Sequence, residues 1–124
     1  MDEVRITRND EGAEYAFREG CSIAEWWNVD ADPAVSVARA RVGSGVTTRW
    51  HRLHGITERY VILAGSGRVE LGEYAPEAVG AGTVVLIPDG VAQRITNDGN
   101  TDLVFLAVCT PRFRLDRYED VDPL

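Results

Sequence analysis

The sequence predicts an all-β chain folded as a jelly-roll barrel of two antiparallel sheets, and three observations carry that expectation. Helical periodicity is almost absent, while short runs that alternate apolar and polar residues, or are wholly apolar, recur along the chain. Each run is closed by residues that supply positive or fixed φ, as in Gly43-Ser44-Gly45, Gly65-Ser66-Gly67, Gly80-Ala81-Gly82 and Pro88-Asp89-Gly90. So many short strands would leave bare hydrogen-bonding edges unless the sheet closed on itself or stacked on a second one, and a jelly roll does both economically.

In order, the patterning places strands at 4–7, 15–17, 22–28, 35–42, 47–53, 59–63, 68–71, 83–87, 93–97 and 103–109. The run 35–42 alternates strictly, with Ser36, Ala38, Ala40 and Val42 on one face and Val35, Val37, Arg39 and Arg41 on the other. The run 103–109 is apolar throughout and reads as a strand buried on both faces. Residues 1–32 are expected to add strands along a sheet edge or a partner subunit, and 110–124 to form a short helix or an extended arm.

At 124 residues, with 44% hydrophobic and 27% charged content, the chain is expected to be a single domain spanning 1–124. The net charge is −7, and all 13 basic residues are arginines scattered along the chain, so no phosphate backbone is expected as a partner. No apolar run approaches the ~20 residues of a membrane helix, and the acidic start Met1-Asp2-Glu3 does not resemble a signal peptide, so no membrane partner and a cytoplasmic location are expected. Cys21 and Cys109 lack any paired spacing and read as buried, reduced thiols.

Two glycine-framed blocks stand out. The first runs from Gly45 through His51, Leu53, His54 and Glu58 to Gly65; the second runs from Gly82 through Pro88, Gly90 and Gln93 to Asn97. Their spacing resembles the two signature motifs of the cupin superfamily over roughly 35–109. The first motif holds Gly, five residues, His-x-His, three or four residues, Glu, six residues and Gly. The second holds Gly, five residues, Pro-x-Gly, two residues, His, three residues and Asn. The resemblance implies a cupin barrel and a metal-ligand set at its centre, but Leu53 and Gln93 occupy two of the four usual ligand positions.

Strand alternation points His51 with Leu53, and Glu58 with Tyr60 and Ile62, so His51, Glu58 and Tyr60 are the candidate catalytic groups of the barrel interior. His51, Glu58 and Gln93 would hold a divalent ion (Fe, Mn, Ni or Zn) weakly, with His54 completing the set if a bulge brought it to the same face. Alternatively His51 and Glu58 form a hydrogen-bonded pair in a metal-free pocket.

Arg39 and Arg41, if their face looks inward, would capture a small acidic metabolite; if outward, they are a solvated or interface stripe. Trp50 and Phe105, with the other aromatics, would wall the cavity or fill the core. Adjacent Trp26 and Trp27 face opposite sides of a strand, so one of them is expected to meet a terminal arm or the partner of a homodimer. The functional expectation is a small-molecule pocket inside the barrel, either a metal-dependent enzyme, a metal-free acid–base enzyme or a non-catalytic binding module.

Overall fold

The computed structural model describes residues 3–123. Its strands are β1 (Tyr15–Ala16), β2 (Ser22–Trp27), β3 (Ser36–Val42), β4 (His51–Leu53), β5 (Thr57–Ala64), β6 (Ser66–Leu71), β7 (Glu77–Gly80), β8 (Val84–Ile87), β9 (Gln93–Thr96), β10 (Leu103–Thr110) and β11 (Tyr118–Asp120). They form a six-stranded sheet in the order β1-β2-β3-β10-β5-β8 and a five-stranded sheet in the order β11-β4-β9-β6-β7, with antiparallel neighbours throughout. This is the two-sheet jelly roll that the turn spacing predicts.

The inward faces follow the alternation. Glu58, Tyr60 and Ile62 of β5 are buried and their neighbours Arg59 and Val61 are not; β4 buries His51 and Leu53, and β9 buries Gln93 and Ile95. Val42, Ile62, Ile87, Ile95, Leu103 and Phe105 form the heart of the core between the sheets. Each such aliphatic or aromatic side chain contributes roughly 1.5–3 kcal/mol by leaving water, which is what holds the two layers face to face.

Two features lock one end of the barrel. Asn97, fully buried, donates from Nδ2 to the carbonyls of Val42 and Thr101 and accepts at Oδ1 from the Gly99 amide, tying β3 to the β9–β10 turn. Gly67 passes so close to β9 that a Cβ there would lie 2.5 Å from the Thr96 carbonyl oxygen, so only glycine fits.

The N-terminal segment adds β1 and β2 along the edge of the six-stranded sheet, as expected, while several strand limits differ. Residues 4–7 form no strand; Val4 and Ile6 are 89% and 73% exposed, so their alternation gains no burial that would hold them to a sheet edge. Strand β7 was not expected, because Val79 is its one buried residue and a single apolar position leaves no period to read. The expected strand 47–53 shrinks to β4, since Thr47 makes only an isolated bridge to Thr96. The C-terminal arm is a 3-10 turn at Leu115–Arg117 followed by β11, which pairs with β4 in the register Tyr118↔Leu53 and Asp120↔His51. No helix is long and apolar enough to cross a membrane among the described residues.

Candidate functional site

The site begins with register. β4 and β9 place His51 opposite Gln93 in the five-stranded sheet, while β5 carries Glu58 and Tyr60 on the inner face of the six-stranded sheet. Stacking the sheets brings these groups together across the barrel, and the Tyr60 hydroxyl donates to the Gln93 Oε1. The Gln93 amide and the Cys109 thiol lie against the Glu58 carboxyl, Cys109 being its direct partner across β5 and β10.

A further acid reaches His51 from outside the two motif blocks. The β1–β2 hairpin turns at 17–21, where Gly20 adopts φ +98°, and the Glu19 carbonyl accepts a hydrogen bond of 2.8 Å from the Arg49 amide. That contact seats the hairpin tip beside the start of β4. The Glu19 Oε2 lies 3.1 Å from the His51 Nε2, and the Cys21 thiol donates to the Glu19 Oε1 at 3.1 Å. The other ring nitrogen, Nδ1, lies 2.8 Å from the Arg49 carbonyl oxygen. A carbonyl only accepts, so Nδ1 carries a hydrogen, and the contact between Nε2 and Glu19 is a hydrogen bond only with a proton between them. Tyr118 stacks on the imidazole, with ring centroids 5.2 Å apart and planes 18° from parallel, and fixes its orientation.

Burial sets the electrostatics. Glu58 is raised to about 7, chiefly by desolvation; the Glu19 charge adds to the rise, while His51, Gln93 and Cys109 oppose it. Desolvation likewise pushes the Tyr60 and Tyr118 hydroxyls and the Cys21 and Cys109 thiols upward, so all four stay neutral.

Glu19, His51, Glu58, Tyr60, Cys109 and Tyr118 line a pocket that encloses about 60 Å³ and opens to solvent at its mouth. Tyr60 and Phe105 form its inner wall, and Phe17, Phe113 and Tyr118 its rim. Two lining groups have buried polar atoms with no hydrogen-bond partner: the Glu58 Oε1 and the Tyr118 hydroxyl.

The structure brings His51, Glu58, Tyr60 and Phe105 to this pocket, with Gln93 fully buried behind Tyr60. It does not bring the rest. His54 has a side chain 54% exposed and bonds through Nε2 to the Glu119 Oε1 at 2.8 Å; no bulge cancels its three-residue offset from His51. Arg39 and Arg41 lie on the outer face, where both pair with Glu14 at 2.9 and 2.8 Å, so the expectation that they capture a ligand in the barrel is corrected. The pairing is favoured because Glu14 precedes β1, the edge strand whose hairpin partner β2 lies beside β3. Trp50 also lies outside the pocket, where the Arg94 guanidinium stacks over its ring at 4.7 Å. Trp26 and Trp27 are both half-buried: the Asn9 amide donates to the Trp26 carbonyl at 3.3 Å, so the N-terminal arm meets this pair, and the Trp27 indole donates to Asp32.

The donor set does not fit a resident divalent ion. Leu53 offers no lone pair, the Gln93 oxygen accepts from Tyr60, and His54 faces away, which leaves Glu19, His51 and Glu58, with the imidazole already held at its two nitrogens by Glu19 and the Arg49 carbonyl. No group of three or more His, Cys, Asp or Glu able to hold a metal occurs among the described residues. Glu19 and Tyr118 escaped the sequence reading because both lie outside the motif blocks; the only local signal was Gly20, a turn residue that brings Glu19 to a hairpin tip without saying what it meets.

Comparison with known proteins agrees with this architecture. A family model described as a cupin domain matches residues 38–109. A predicted oxalate decarboxylase from Thermotoga maritima superposes with a TM-score of 0.77 at 27% identity, covering 86% of this chain and 99% of the other. The Streptomyces nucleoside dehydratase Pac13 superposes at 0.75 with 17% identity over 95% of this chain and 92% of its own, and KdgF from Halomonas at 0.76 with 16% identity over 88% and 96%. At such identities the last two are similar in fold. No curated protein sequence matches the chain.

Proposed function

Since this chain belongs to the cupin family, we propose that it binds a small molecule inside the barrel and moves a proton on it without a metal ion. Glu58 is the acid–base group, and His51, whose two ring nitrogens are held by the Arg49 carbonyl and Glu19 and whose ring stacks on Tyr118, is a positioning residue beside it. One observation carries this reading: Glu58 lines the pocket, keeps one oxygen without a partner, and titrates near 7, where a carboxyl can both take and return a proton. Tyr60, bonded to Gln93, holds the wall behind it.

Several structural neighbours are enzymes by name, which supports a small-molecule site. The oxalate-directed activity predicted for the Thermotoga protein does not transfer well, because oxalate is a dianion and this pocket is lined by Glu19, Glu25 and Glu58 with no arginine. A metal-bound reading loses its ligands at Leu53 and His54 for the reasons above.

The test begins with elemental analysis of protein purified without chelator, beside a metabolite screen by thermal shift with and without EDTA. Hits are then assayed for turnover with wild type, Glu58→Gln and His51→Gln. We expect no stoichiometric metal, ligand stabilisation insensitive to EDTA, and turnover lost in both variants. A stoichiometric ion that His51→Gln removes would overturn the reading. Binding without turnover of any hit or its derivatives would leave a binding module.

We also propose that the chain forms a homodimer through the outer face of the six-stranded sheet, where Leu63, Val84 and Leu86 are 45%, 62% and 59% exposed.

A further inference from the structure

We infer that the ligand of this pocket is a flat, single-ring molecule that carries no negative charge and donates an N–H or O–H to Glu58. The inference rests on the reading of the barrel as a small-molecule site and names the class that the site selects.

Shape comes from the walls. Tyr60 and Phe105 pack with centroids 4.5 Å apart and planes tilted by 45°, closing the inner end. At the rim Phe17 meets Tyr118 edge-on at 5.5 Å and Phe113 at 6.3 Å. A lining this rich in rings favours a thin unsaturated body, which gains contact area and quadrupole complementarity that a branched aliphatic ligand lacks.

Charge comes from the lining. Glu19, Glu25 and Glu58 all face the pocket, and the cation among them is at most His51, already opposed by Glu19. The arginines that could have balanced an anion are placed elsewhere. Arg39 and Arg41 hold Glu14 on the outer face, and Arg18 lies over the rings of Phe17 and Tyr118, 5.9 and 5.4 Å from their centroids, outside the lining. A ligand carboxylate or phosphate would therefore sit among like charges without a bidentate partner, which selects against anions.

Hydrogen bonding comes from the orphans. Glu58 is 8% exposed, and its Oε1 lacks a partner, as does the Tyr118 hydroxyl. A buried polar atom left unpaired in a native fold needs an account, and a ligand edge that donates to the carboxyl oxygen supplies one.

Three probes of similar size separate these terms: benzamide, a neutral donor; methyl benzoate, neutral without a donor; and benzoate, an anion. Amide-resolved NMR titrations of the full chain read binding at Tyr60, Phe105 and Cys109. Wild type should bind benzamide about tenfold or more tighter than either of the others, and Glu58→Gln should narrow the gap to benzoate. Benzoate binding as tightly as benzamide in wild type would overturn the charge selection, and methyl benzoate matching benzamide would overturn the donor; either leaves the small-molecule pocket standing. No shift at those amides with any probe at millimolar concentration would sink the pocket reading itself, and the inference with it.

Discussion

Glu19 Oε2 lies 3.1 Å from His51 Nε2, although one residue sits at the tip of the β1–β2 hairpin and the other opens β4. The contact is buried and is extended by the Cys21 thiol on the second carboxyl oxygen. Removing one member of a buried hydrogen-bonded pair leaves the other unsatisfied, so Glu19→Ala should destabilise the fold by about 2 kcal/mol. Urea denaturation at neutral pH checks this, and an unchanged midpoint would show that the imidazole and thiol find water instead.

Glu58 makes stability depend on pH in a stated direction. Its folded value, about 7, lies above the ordinary 4.5, so the unfolded chain binds fewer protons between those limits. The stability it contributes is therefore full below pH 4.5 and is lost as pH rises through 7, by about 3 kcal/mol in all. Glu58→Gln lacks this loss. The difference in unfolding free energy between variant and wild type should grow in the variant's favour from pH 4.5 to 7.5 and then level; a flat difference would mean Glu58 ionises as if in water.

Asn97 serves three backbone groups at once: the Val42 and Thr101 carbonyls and the Gly99 amide. Asn97→Ala leaves them buried and unpaired, and should cost about 3 kcal/mol, while Asn97→Asp should fail as well because it cannot donate to either carbonyl. Thermal melts of the two variants decide it.

Both thiols are buried and pushed upward by desolvation and by carboxylate neighbours, Glu19 beside Cys21 and Glu58 beside Cys109. Neither should react with a thiol-specific disulfide reagent in the native protein, and both should react after unfolding. Rapid labelling of the native chain would point to an opening of the barrel that the packing does not suggest.

The exposed outer face at Leu63, Val84 and Leu86 bears on self-association. Light scattering coupled to size-exclusion chromatography should report twice the 13.7 kDa chain mass at micromolar concentration, and Val84→Asp with Leu86→Asp should return the monomer. A wild-type monomer would remove the dimer.

Much of the barrel was readable in the sequence because strand alternation and turn chemistry are local. The period of two put His51 with Leu53, Glu58 with Tyr60 and Gln93 with Ile95 on common faces, and Gly65, Pro88 and Gly90 marked where strands end. The resemblance to cupins located which of those positions share a cavity. The outer placement of Arg39 and Arg41 was one of two open readings, since alternation assigns residues to opposite faces without saying which face is inside.

The sequence by itself determined most of the strands, the turns and which residues of the two motif blocks share a face, because these follow from backbone geometry within a few residues, and the resemblance to cupins said which face looks inward. Only the tertiary structure decided that Glu19 meets His51, that β11 lays Tyr118 on the imidazole, and that Glu14 draws two arginines outward. Those contacts join segments 25 or more residues apart, and their partners are chosen by which loop tip and which terminal strand the closed sheets leave adjacent, a choice no local pattern encodes.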